Sequence, residues 1–167
     1  MKKGFTLIEV LVVMLISTVV IGALMITMSA GRTSWYSGDT QISVQQELRK
    51  ALGQISDDLR LSSESQISVL ANGIPYNATS FNVSQGVLST GAINWSANPI
   101  VYALASGQIM RTQGASVRVV ANNITSMIFV RQTASSDVVR INLTAQKATP
   151  FGHILNATVA SAVFLRN

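Results

Sequence analysis

Lys2-Lys3-Gly4-Phe5-Thr6-Leu7-Ile8-Glu9 leads directly into an apolar run from Val10 to Met28. No other stretch constrains the fold as much. From Phe5 to Ala30 there are 26 residues and one charge, Glu9. At about 1.5 Å rise per residue a helix of that length spans roughly 39 Å, enough to cross a hydrocarbon core of about 30 Å. Two lysines precede the run, so the positive-inside rule places the N-terminus in the cytoplasm and the remainder outside. An ordinary secretory signal has an apolar core of about 7–15 residues with small residues after it. This run is longer, and its one acid lies at the start.

Glu9 needs an explanation. An acid within a membrane span costs on the order of a few kcal/mol and is read as functional, with a partner to be named. No Lys or Arg lies within one turn of it. The partner is the chain's own N-terminus, a neighbouring subunit, or nothing. A cut after Gly4 would create a new α-amine on Phe5 near Glu9, and would remove both lysines.

These residues carry a resemblance. Gly4-Phe5-Thr6-Leu7-Ile8-Glu9-Val10 resembles the class III signal of type IV pilins and type II secretion pseudopilins. The resemblance implies cleavage after Gly4 by prepilin peptidase, N-methylation of Phe5, and an assembly role for Glu9, whose carboxylate would pair with the N-terminal amine of an adjacent subunit. It implies further partners: other pilin or pseudopilin subunits, an inner-membrane assembly platform and the lipid bilayer. It also implies an inner-membrane chain that later enters a filament, and a structural subunit rather than an enzyme. The tip subunit of type II pseudopili typically lacks the acid, so Glu9 implies a place beneath the tip.

The expected fold is α+β, a long N-terminal helix packed on an antiparallel sheet. The expected segments are a leader at 1–4, a membrane and assembly helix at 5–30, an amphipathic continuation at 31–62 and a β-rich head at 63–167. Trp35 and Tyr36 follow the span, where amphipathic aromatics favour the membrane–water interface. Family members often carry a helix-weakening proline at a position occupied here by Ile26. Gly22 or Gly31 is the expected substitute, since glycine costs a helix about 1 kcal/mol relative to Ala.

From Gln41 the apolar residues Val44, Leu48, Ala51, Leu52, Ile55 and Leu59 recur at steps of three and four, one core-facing stripe. Glu47 with Lys50 and Asp57 with Arg60 have the spacing of weak i,i+3 pairs. Asp57-Asp58 invites a paired-carboxylate reading. Adjacent helical residues point about 100° apart, so a solvated face is the better expectation. Ser62-Ser63-Glu64-Ser65 is expected to end the helix.

Beyond Gln66 the period changes to two. Strands are expected at 66–70, 79–84, 100–105, 109–112, 116–120, 124–132, 138–147 and 154–166, with the pieces before Ile100 looser. Val139, Ile141, Leu143 and Ala145 alternate with Arg140, Asn142, Thr144 and Gln146, the pattern of a strand with one buried and one wet face. The last three strands are long enough for a meander. Ile100–Arg111, Val138–Thr144 and Val163–Asn167 resemble J-type or W-type minor pilins and pseudopilins.

Composition excludes several chemistries. The chain has no cysteine, so disulfides and thiolate sites are ruled out. Its net charge is +5, and without Lys2 and Lys3 there remain 10 basic against 7 acidic side chains. The arginines are scattered rather than clustered, so nucleic acid is not an expected partner. A DNA-uptake or adhesion-type minor pilin, its head binding an extracellular ligand, is the alternative reading. His153 is the only histidine, and no Gly-x-Ser-x-Gly elbow accompanies it. No catalytic residue, metal ligand or cofactor is expected. Tyr76, Phe81 and Trp95 are expected to pack in the core and loops rather than line a partner surface.

Overall fold

A computed structural model describes residues 6–68, 70–132 and 137–166. The chain divides into two compact units, Met1–Asp39 and Thr40–Asn167. One helix, α1 (Leu7–Arg60), contributes to both.

In the first unit the large apolar side chains of α1 from Leu7 to Met28 are exposed. An 18-residue window of α1 has a mean hydropathy of 2.7, and none of it is buried within the protein. Hydroxyls on this helix bond back to its own carbonyls: Thr18 to Met14 O (2.8 Å), Thr27 to Ala23 O (2.8 Å) and Thr33 to Ser29 O (3.1 Å). Such self-satisfaction is what an apolar solvent demands of polar groups. The expected break does not occur, since α1 stays helical through Gly22 and Gly31. Two isolated glycines cost about 1 kcal/mol each, too little to interrupt a long run of helix-compatible residues.

The second unit contains the end of α1 and the β-rich segment expected at 63–167. Val44, Leu48, Ala51, Ile55 and Leu59 of the predicted stripe are buried, with Leu52 half-buried at its margin, and Thr40 and Ser56 are buried beside them. The five apolar ones join Phe129, Ile141, Leu143 and Ala145 in one apolar cluster. Among the described residues ten strands follow: β1 (Pro75–Tyr76), β2 (Ala78–Phe81), β3 (Ser84–Val87), β4 (Ile93–Trp95), β5 (Ile100–Ala105), β6 (Gln108–Gln113), β7 (Ser116–Ala121), β8 (Ile124–Arg131), β9 (Val138–Ala148) and β10 (Ile154–Phe164). They form two four-stranded antiparallel sheets, ordered β1-β8-β9-β10 and β2-β5-β6-β7, and a β3–β4 ribbon. The α+β expectation holds, with two sheets and a ribbon where one sheet was expected. The predicted meander is β8-β9-β10, and β9 buries Val139, Ile141, Leu143 and Ala145.

Among the described residues of 66–70 the expected strand does not form. A 3-10 turn occupies Glu64–Gln66, and Ile67 makes a single bridge to Phe81; Val69 lies outside the described residues. β10 ends at Phe164, two residues short of its expected end, and Arg166 makes a separate bridge to Ser63.

Asp57-Asp58 also departs from expectation. Asp57 is exposed and makes only the loose predicted contact with Arg60 (3.8 Å). Asp58 instead faces the sheet: it accepts from Arg111 Nε at 2.7 Å and from the Tyr102 hydroxyl at 2.6 Å. The β5–β6 hairpin sets up the receiving pair. Ser106 and Gly107 both take positive φ (50° and 73°) in its two-residue loop, a conformation that suits the twist of paired strands. The resulting register puts Tyr102 directly opposite Arg111. Glu47 likewise reaches out of α1, accepting from the Asn122 backbone N–H at 3.2 Å.

Burial first, and then the hydrogen bond to Asp58, hold the Tyr102 phenol well above its ordinary value of 10.0. Burial pulls the Arg111 guanidinium down, but the Asp58 hydrogen bond and charge outweigh it and raise its pKa. The phenol's folded pKa lies above its unfolded one. Its contribution to stability is therefore complete below about pH 10 and is lost as pH rises toward the folded pKa. In alkaline titration followed at 295 nm, Tyr102→Phe should remove a tyrosine that ionises only above the ordinary phenol range. Loss of a component centred near pH 10 would contradict the burial and the bond.

Candidate functional site

The motif residues lie at the start of α1, and the structure places part of the set. Thr6 precedes the first helical residue, Leu7, which makes Thr6 the N-cap and Glu9 the third helical position. The two side chains close a reciprocal capping box. Thr6 N–H donates to Glu9 Oε2 at 3.0 Å, and the Thr6 hydroxyl donates to the same oxygen at 3.1 Å. In return, Glu9 N–H reaches Thr6 Oγ1 at 3.3 Å and Thr6 O at 3.1 Å. A Thr-x-x-Glu sequence before an apolar run is the signature of this box. The carboxylate also sits in the first turn, where the helix dipole favours negative charge. Gly4 and Phe5 lie outside the described residues.

Sequence reasoning sought a partner for Glu9 among cations and amines. It missed Thr6, although the Thr-x-x-Glu spacing that signals a capping box was present. The box leaves capacity to spare, because an ionised carboxylate offers about four acceptor positions and Thr6 uses two. A cationic donor can therefore join the Glu9 carboxylate while the cap persists.

The other residues singled out from sequence do not assemble into a reactive centre. His153 is exposed, and its backbone closes a turn with Thr149: Thr149 N–H donates to His153 O at 2.8 Å, and His153 N–H donates to Thr149 Oγ1 at 3.1 Å. Phe81 is fully buried and stacks on Tyr102 with ring centroids 6.2 Å apart. Tyr76 packs against the core and Trp95 is half-buried. Among the described residues, no three His, Asp or Glu side chains converge as a metal site would require.

Residues 1–25 match the model of the prokaryotic N-terminal methylation motif. The match indicates a type IV pilin-like protein, a class whose members are processed by prepilin peptidase and assemble with other pilins. A motif of this kind points to a structural subunit. The fold agrees with that class, a long helix packed on antiparallel sheets, and the long apolar start of α1 is consistent with membrane anchoring. No curated protein matches the chain.

The capping box makes a local prediction. Thr6→Val should cost the first turn about 1 kcal/mol, seen as roughly five-fold faster hydrogen exchange at the Glu9 amide in detergent micelles. Exchange around Thr18 should not change. An unaltered Glu9 rate would show that the Thr6 side chain does not hold this turn.

Proposed function

We propose that this chain is a minor pilin or pseudopilin of the J or W type, a structural subunit of a type II secretion pseudopilus or a type IV pilus. The observation that carries the reading is the match of residues 1–25 to the methylation motif, with Glu9 in the first turn of an exposed apolar helix. Residues 1–4 are a leader, removed by cleavage after Gly4, and Phe5 is then N-methylated. Residues 5–30 hold the chain in the bacterial inner membrane with the N-terminus in the cytoplasm, and later pack among the same helices of other subunits in the filament. Residues 31–62 continue the helix, and 63–167 form the exported head.

Glu9 sets subunit register in this scheme. A carboxylate moved into hydrocarbon without a cationic partner is costly. A neighbour whose amine meets Glu9 removes part of that cost, and a subunit placed one step out of register does not. The assembly platform would recognise the chain while it is still in the membrane.

Two experiments test the scheme. Mass spectrometry of the chain from its native host should find it without Met1–Gly4 and with a methylated Phe5, whereas a Gly4→Glu variant should keep the leader. Recovery of wild-type chain with the leader intact would sink the processing claim. Glu9→Gln should insert into membranes normally but be missing from sheared filaments. Normal incorporation of that variant would refute the pairing role.

A further inference from the structure

The edges of the head's sheets are not treated alike. An edge strand presents unpaired N–H and C=O groups, and proteins blunt such edges by shortness, proline, charge, bulges or a covering segment. β1 has two residues and begins at Pro75. β2 is covered along its outer side, where Ser68 N–H donates to Ser80 O at 3.0 Å and Ile67 bridges Phe81. β7 has six residues and carries Arg118.

Among the described residues, β10 has none of these devices. It runs for 11 residues, Ile-Leu-Asn-Ala-Thr-Val-Ala-Ser-Ala-Val-Phe, without a charge or a proline. Its pairing with β9 continues from Ile154 to Phe164 without a register shift, so no bulge twists it away. It ends its sheet, and no further strand pairs with it among the described residues. Ile154 and Phe164, at its two ends, lie on one face and are 59% and 68% exposed.

The geometry points to β10 as a docking edge for β10 of a second copy of this chain, the two strands antiparallel about a two-fold axis at Val159. The backbone specifies an extended strand as the occupant, because alternating free N–H and C=O groups are satisfied by another strand. The side chains specify the copy. About that axis Ile154 of one copy meets Phe164 of the other at both ends of the pair, and Thr158 meets Ala160 beside the centre. No charge opposes a charge anywhere along the ribbon. Pairing of this kind is closed, so it seals both open edges and stops at two. The inference stands on the head alone and is independent of the filament reading.

The natural absence of cysteine makes the test clean. Residues opposite each other in antiparallel strands have Cα atoms about 4.5–5.5 Å apart, within disulfide reach, whereas diagonal positions lie at about 7–8 Å. Full-length Thr158→Cys and Ala160→Cys chains, purified in detergent and mixed under mild oxidation, should give a disulfide-linked dimer. Neither variant alone should do so. Ala160→Lys, at an exposed position, should keep the circular dichroism of the wild type but lose the dimer in light-scattering chromatography. No cross-link in the mixture would overturn the proposal. So would equal cross-linking by Thr158→Cys alone, or a persistent Ala160→Lys dimer.

Discussion

The head depends on a stripe barely one side chain wide. Val44, Leu48, Ala51, Ile55 and Leu59 are spaced by four, three, four and four residues, and all are buried in the head's cluster. Fully burying a Leu or Ile side chain is worth about 1.5–3 kcal/mol, while a domain's net stability is only about 5–15 kcal/mol. With no disulfide to restrain the unfolded chain, the loss of any one of these contacts is a large fraction of the total. The alternation of β9 is the matching half of the same contact. A slip of one residue in its register would turn Val139, Ile141 and Leu143 outward and bring Arg140 and Asn142 to the helix.

Asp58 shows how a polar group can sharpen such a contact without dominating it. Apolar burial is non-directional, so a stripe alone tolerates small slides of the helix along its axis. A carboxylate 2.7 Å from a guanidinium and 2.6 Å from a phenol does not. Replacing the cluster with apolar residues need not lower stability, but removing one member leaves a largely buried charge without its partner. The pair therefore acts on where the helix rests more than on how tightly it binds.

This division marks what could be read from the sequence. Features that depend on local period were legible: the stripe, the three-strand meander and the limits of β5. Features that depend on distant register were not. Asp58 stands beside Leu59 at the edge of the buried face, but its partners lie 44 and 53 residues away, and only the hairpin brings them opposite each other. The same 100° argument that separated Asp57 from Asp58 could not say which of them turned inward. The segment at 66–70 failed for a related reason: Ile67 is buried against the edge of β2 through a single bridge, where burial does not require strand geometry.

Glu9 belongs to both categories, which changes its meaning. Treated as a charge in hydrocarbon, it demands a partner from outside the chain. Treated as the third residue of a capped helix, it already has one in Thr6, so the proposed membrane state would not leave a bare carboxylate. The capping box and an incoming amine are compatible, because the first uses N–H and O–H donors at one oxygen while the second brings a full positive charge. In the proposed scheme, the local bonds would make the unassembled state tolerable, and the remaining cost of the charge would be what a correctly placed neighbour relieves. A glutamine could keep much of the cap and would lose the electrostatic attraction, so the Glu9→Gln substitution separates a capping role from an assembly role at the same side chain.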